Sequence, residues 1–274
     1  MIQKYILYPI LVLLLVLMVY FGTKAHEQAV LYEEVTTELV SFQGVEAQAI
    51  LQLEKFAKSI LGDFFNDEKK IHLDKIKEKQ TLTMQKAKKY TLYFMAVLGA
   101  MLFSFFFISL RAFTLFGALS AMITLVLGLI TPILMVTIHK EVEYLGDIVL
   151  SFESKGVIGS IQKLFENDDV IVAIVILLFS VVVPVLKILS LLFVSVFMES
   201  KFAHSIVKFF KMIGKWSMVD VFVVAVFLVY LTANKGDVSR AEVEVGLYFF
   251  LAYVIVSMLV SISADKMLSL NKHL

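Results

Sequence analysis

The sequence predicts an all-α polytopic membrane protein with about six transmembrane helices, and three observations predict this fold class. Hydrophobic residues make up 59% of the chain and the mean hydropathy is +0.87, which is more apolar than a water-facing surface tolerates. Six apolar stretches are long enough to cross about 30 Å of hydrocarbon as helices, which satisfy their own backbone hydrogen bonds in lipid. A long charged segment with helical periodicity separates the first two stretches.

The predicted spans fall into an N-terminal pair and a C-terminal group of four. They cover residues 5–22, 90–110, 113–138, 170–198, 218–234 and 243–264. A short corner containing Arg111 separates the second span from the third, which indicates a tight hairpin with Arg111 at a membrane surface. We therefore divide the chain into an anchor (1–22), an extramembrane segment (23–89), a second transmembrane helix (90–112) and a four-helix module (113–274).

The first span has a second interpretation as a cleaved signal peptide. Its apolar run of about 18 residues is longer than the apolar core of a usual signal peptide, which favours an uncleaved anchor.

The short connections predict the orientation in the membrane. Residues 199–215 carry four lysines against Glu199, which is typical of a cytoplasmic loop, whereas residues 139–169 carry three lysines against seven carboxylates. Counting spans from these loops predicts that both termini are cytoplasmic and that residues 23–89 lie outside. The basic run at residues 86–89 opposes this assignment. It belongs to a long segment, however, and long segments cross the membrane largely regardless of their charge.

The extramembrane segment, residues 23–89, is predicted to form two or three amphipathic helices. Apolar residues recur at helical spacing, as in Leu31, Val35 and Leu39, and the segment contains no proline. We expect the first span to continue outward as helix, to fold back near residues 62–66, and to return from about Lys69 into the second span. The segment is either a docking or sensing surface or a spacer whose apolar stripes pack on each other. Its charges alternate in sign, so nucleic-acid binding is not expected.

Ionisable residues within the spans are the first candidates for function, because each costs at least about 2.5 kcal/mol to insert. Lys187 lies in the fourth span and Asp220 just inside the fifth. The two side chains can form a pair that protonation or a lipid headgroup breaks. They can equally form a fixed pair that sets helix register, or a snorkelling lysine and an aspartate at a helix start.

Proline and tryptophan mark further features of the module. Pro184 removes a backbone hydrogen bond and frees a carbonyl close to Ser180, so a bend is expected in the fourth span. Pro132 is expected to act similarly near the outer end of the third span. Trp216 follows an amphipathic basic loop and is a typical interfacial anchor.

Several chemistries are not expected. The chain contains no cysteine, and its five histidines have no metal-binding spacing, so no metal site and no cofactor are predicted. No nucleophile and base, paired carboxylates or metal ligands converge, so we expect no enzyme. An ion or proton pathway would need more titratable groups through the membrane than the sequence offers.

Three ordered motifs resemble the paraquat-inducible protein A family, including its lipophilic envelope-spanning tunnel A relatives. They are LFSVVVPVLKILSLLFV, GKWSMVDVFVVAVFLVYL and GLYFFLAYVIVSMLVSISAD, within residues 113–274. The chain resembles a single-module variant without the family's cysteine-rich zinc ribbons, so zinc is not carried over. The positions that match the family motifs are Ser180, Pro184, Lys187, Trp216, Met218, Asp220 and Asp265.

The resemblance implies a component of the Gram-negative inner membrane. Such a protein works with a mammalian cell entry domain partner to move lipids between membranes and maintain envelope integrity, with membrane lipids as its ligands. The alternative function is a membrane-anchored envelope-stress sensor or scaffold, with residues 23–89 as its periplasmic sensing segment.

Overall fold

The helices of the computed structural model, which describes residues 2–43, 67–142, 146–196 and 239–271, form a polytopic membrane bundle. Within those ranges, five helices are long and apolar enough to cross a bilayer. They correspond to five of the six predicted spans. The predicted span at 218–234 lies outside the described residues. The helical polytopic fold class is thereby confirmed.

The first two helices are much longer than a bilayer requires. Helix α1 covers Ile2–Gln43 and α2 covers Asp67–Phe103. At 1.5 Å per residue these helices are about 63 Å and about 55 Å long, so each extends well beyond about 30 Å of hydrocarbon. As expected, helix continues beyond the first span, and another helix runs unbroken from the extramembrane segment into the second span. The predicted fold-back near residues 62–66 lies outside the described residues.

Helices α1 and α2 pack along each other outside the membrane as well as within it. Val35, Leu39 and Ile76 form a separate buried cluster in the outer part of this pair. At the same level, the Gln80 side-chain amide donates a hydrogen bond to Thr36 Oγ1 at 2.9 Å. The apolar stripes of the outside segment therefore pack on each other, as the spacer interpretation expects.

The centre of the module is a pair of helices, α3 (Leu110–Ile130) and α7 (Val245–Asn271). Ser109 caps the start of α3 by accepting a hydrogen bond from the Ala112 backbone nitrogen at 3.3 Å. Helix α2 joins this core where the Phe94 and Phe249 rings meet edge to face, with centroids 4.8 Å apart.

A three-stranded antiparallel sheet, which the sequence pattern does not predict, lies at the end of α3 and the start of α7. Strand β1 (Leu134–Val142) pairs with β2 (Gly146–Lys155) on one side and with β3 (Ser239–Val243) on the other. Backbone hydrogen bonds join the residues just before β1 to the start of α7. One of them runs from the Gly246 nitrogen to the Pro132 oxygen at 2.8 Å.

The sheet corrects the predicted third span. That span was expected to cover residues 113–138 with a kink at Pro132, but α3 ends at Ile130 and Pro132 lies beyond it. Thr131 is extended, with φ −85° and ψ 142°. The pyrrolidine ring disfavours the α conformation in the residue before it, so the proline ends the helix instead of bending it.

The fourth predicted span is one continuous helical stretch in three parts. After a short amphipathic helix α4 (Val157–Glu166), the chain forms α5 (Val170–Leu177), a π-helical turn (Leu178–Val182) and α6 (Val183–Val196). Together these parts match the predicted span at 170–198 closely.

Candidate functional site

The strongest candidate site is the lysine inside the membrane bundle. Lys187 lies on α6 and is 9% exposed. Its Nζ donates a hydrogen bond to Ser257 Oγ on α7 at 3.2 Å. The neighbouring residues Ile188 and Leu191 belong to the main apolar core. The side chain is therefore directed into the bundle, in contrast to the predicted alternative of a lysine that snorkels to the surface.

Ser257 is suited to accept this hydrogen bond. It is 1% exposed, and its hydroxyl proton is donated to the Val254 backbone oxygen at 3.0 Å. A hydroxyl that donates elsewhere presents its lone pairs to a cation. The contact is a polar bridge between α6 and α7.

The helix that carries Lys187 departs from α-helical geometry just before it. In the π turn, the Val183 N–H bonds to the Leu178 oxygen, five residues earlier. Pro184, which is buried, follows at once and has no N–H to donate to the Ser180 carbonyl. The wider turn accommodates the proline ring and leaves Ser180 half-buried. Turns of this kind are frequent at functional sites.

Hydroxyl groups also line the contact between α3 and α7. Thr114 Oγ1 donates to the Leu110 carbonyl at 2.8 Å and lies 3.3 Å from Ser263 Oγ, and both Thr114 and Ser263 are buried. Ser120 and Thr124 on α3 are fully buried, and their hydroxyls donate to carbonyls of their own helix. The contact between Thr114 and Ser263 therefore joins the two helices, whereas Ser120 and Thr124 reduce the cost of their own burial by bonding within α3.

The structure brings three of the predicted site residues into one segment. Ser180, Pro184 and Lys187 follow one another along the π turn and α6. Asp265 lies on α7, about 12 Å along the helix axis from Ser257, so it is separate from the lysine contact. Three predicted residues lie outside the described part of the chain: Trp216, Met218 and Asp220. The predicted pair of Lys187 with Asp220 therefore stays a prediction.

The residue that sequence reasoning missed is Ser257. Ser257 is the first of three serines in the last span, and nothing in the sequence distinguishes it from Ser261 and Ser263 as a partner for the lysine. The pairing of α6 with α7 was not predictable from the order of the spans.

A second polar contact joins the outer part of α1 to the module. His26 Nδ1 and Thr131 Oγ1 are 3.1 Å apart. Further out on α1, the Glu33 side chain forms a hydrogen bond with Ser154 of β2. The pair of long helices α1 and α2, called the hairpin below, is thus attached to the sheet. Among the residues the structure describes, no group of three or more histidine or acidic side chains could hold a metal ion.

Comparisons with known proteins identify the family of this chain. The family model of paraquat-inducible protein A matches residues 111–272, which is more than half of the chain. A probable intermembrane transport protein from Haemophilus influenzae is 28% identical over 117 residues, covering 40% of this chain and 28% of the relative. The matched region is thus well under two thirds of that relative's length. No solved structure shows significant similarity. The chain belongs to the paraquat-inducible protein A family.

Proposed function

We propose that this protein is a non-enzymatic inner-membrane component of a lipid transport system that maintains envelope integrity. The observation that carries the proposal is the buried Lys187 bridged to Ser257 beside a π turn. Family membership and the relative's name, a probable intermembrane transport protein, support a role in transport. In this role the protein works with a mammalian cell entry domain partner, and both of its termini are cytoplasmic.

The lysine supplies the chemistry that a lipid carrier needs. An ammonium group in an apolar bundle interacts strongly with an anion because the surroundings screen it weakly. A lipid phosphate that reaches the bundle can replace the Ser257 hydroxyl as its acceptor. The π turn before Lys187 is a place where this helix can bend, so that α6 moves away from α7. The contact then alternates between a closed bridge and a lipid-bound state.

The test is loss of transport in a host lacking its own copy of the gene. We expect Lys187→Ala to abolish rescue of detergent resistance, and Lys187→Arg to retain part of it because the charge remains. Lys266→Ala is the matched control, since this lysine is exposed at the end of α7. Wild-type rescue by Lys187→Ala at normal protein levels would overturn the proposed role of the lysine.

The partner is tested separately. A photo-crosslinking residue at the exposed outer position Thr81 of α2 should capture a mammalian cell entry domain protein in living cells. Capture should fail when the crosslinker stands at exposed Lys266 instead. Equal recovery of the partner from both positions would argue against docking through the hairpin.

The alternative function, an envelope sensor or scaffold, is favoured by the contact of His26 on α1 with Thr131 at the end of α3, which links the long helix pair to the module. Residues 37–79 can be replaced by a short flexible linker, because Thr36 and Gln80 already face each other across the pair. Retained transport with a lost envelope-stress response would support the sensor. Unchanged behaviour in both assays would reject it.

A further inference from the structure

A cavity of about 250 Å³ lies between α1, α3 and α6 at the membrane face where α1 and α3 begin. Helix α1 contributes Tyr8, α3 contributes Arg111, Leu115 and Phe116, and α6 contributes Val196. Val196 lies about 14 Å along the helix from Lys187, so the cavity is distinct from the lysine site. We name it the Arg111 cavity.

The guanidinium group of Arg111 is fixed at one end of the cavity. Its Nε and Nη2 donate to the backbone oxygens of Ser195 and Val196, each at 2.9 Å. An arginine carries five N–H donors, and within the described part of the chain only two are used. The guanidinium is therefore oriented by the protein and retains donors for an anionic oxygen.

The start of α3 adds to this positive end. The Ser109 side chain lines the cavity and accepts from the Ala112 nitrogen, so its own proton remains available for donation. The first turn of α3 contains no acidic residue that would neutralise the arginine or the partial positive charge of the helix terminus. The polar end of the cavity thus favours an anion.

The opposite end of the cavity is apolar. Leu115 and Phe116 follow Arg111 by about one turn, some 6 Å deeper along α3. The Tyr8 ring stacks on the Phe116 ring, with centroids 6.2 Å apart and planes at 25°. In a phospholipid the phosphate lies above the acyl chains. The cavity is complementary to this order, because its cation lies at the surface and its apolar walls lie beneath.

We propose that the Arg111 cavity binds the phosphate of a phospholipid from the leaflet at this face. Leu115 and Phe116 contact the first part of the acyl chains. Pockets that enclose whole drug-sized ligands measure about 300–1,000 Å³, so this smaller cavity holds the headgroup and glycerol while the chains remain in the bilayer. Residues 199–215, which follow Val196 in the sequence, carry four lysines against Glu199, a charge pattern typical of segments that attract anionic lipid. The inference does not rest on the proposed function, since a lipid held here needs no transport.

The test is native mass spectrometry of the full, delipidated chain titrated with palmitoyl-oleoyl phosphatidylglycerol. We expect the first lipid to bind about tenfold more weakly to Arg111→Gln, because a charge-assisted hydrogen bond is lost. Lys266→Gln removes an equal charge from an exposed position outside the cavity and should bind as the wild type does. Dioleoylglycerol, which lacks the phosphate, should not compete, and neither should inorganic phosphate.

Arg111 also joins α3 to α6, so a second variant separates binding from folding. Leu115→Trp fills the cavity and keeps the arginine, and it should weaken phosphatidylglycerol binding to a similar extent. Unchanged binding by this variant overturns the proposal, even where Arg111→Gln fails to fold. Displacement of the lipid by an equal concentration of inorganic phosphate also overturns it, because the site would then be one for a free anion.

Discussion

Gly128 of α3 lies directly against the backbone of Phe250 in α7. A methyl group at position 128 would lie 2.9 Å from the Phe250 backbone nitrogen and 3.0 Å from its α-carbon. Backbone atoms cannot move aside as the end of a flexible side chain can. The two central helices therefore approach as closely as they do because this residue is glycine.

Gly128→Ala should accordingly destabilise the module. We expect a loss of about 1–3 kcal/mol, the usual cost of forcing extra volume into a packed core. Gly99→Ala in α2 is the matched control, since a methyl group there meets no atom within 4 Å. It should leave stability unchanged or raise it by about 0.5–1 kcal/mol. Thermal unfolding of both variants in detergent measures the difference, and equal unfolding temperatures would contradict the close approach.

The sequence predicted the helices well because bilayer thickness constrains them strongly. Five predicted spans and the continuation of α1 and α2 outside the membrane follow from apolar length and helical periodicity. The end of α3 was wrong by eight residues, Ile130 instead of 138. Strand β1 begins with the apolar residues Leu134–Val136, and hydropathy alone does not distinguish such a strand from the last turns of a helix.

The site was predictable only in part, for a related reason. The insertion cost of a charge identifies Lys187 from sequence, but its partner depends on which helices are neighbours. Ser257 lies 70 residues away in the chain and is uncharged. The pairing of β3 with β1 was not predictable either, because the two strands are distant in the chain and meet only in the folded protein.

The contact between His26 and Thr131 gives a prediction about the hairpin. The chain has no native cysteine, so His26→Cys/Thr131→Cys introduces the only two thiols. The two native side chains approach to 3.1 Å, and a short thiol-specific crosslinker should therefore join the pair. Digestion between the two positions followed by electrophoresis detects the product. Each single-cysteine variant is the control, and failure of the double variant to crosslink would contradict this placement of α1.

The proposed orientation predicts opposite accessibility for two exposed positions. Thr81 on the outer part of α2 and Lys266 near the end of α7 are both exposed. In sealed spheroplasts, a membrane-impermeant maleimide should label Thr81→Cys at once and Lys266→Cys only after permeabilisation. Denatured samples of each variant give the full labelling level. The reverse pattern would show that residues 23–89 are cytoplasmic and that the charge counts of the loops misled the assignment.

Ser257→Ala should weaken the module and its activity together. The substitution removes the acceptor of the Lys187 hydrogen bond at 3.2 Å and leaves the charge in place, which costs about 1–3 kcal/mol when a buried polar group loses a partner. Ser257→Thr keeps the hydroxyl and should retain most of the activity. Ser190→Ala on α6 is the matched control, because Ser190 also donates to a carbonyl of its own helix and is more exposed. Thermal unfolding and rescue of detergent resistance are measured for all three variants. If Ser257→Ala and Ser190→Ala behave alike in both, the hydroxyl at 257 serves only its own helix, and the bridge between α6 and α7 has no part in the function.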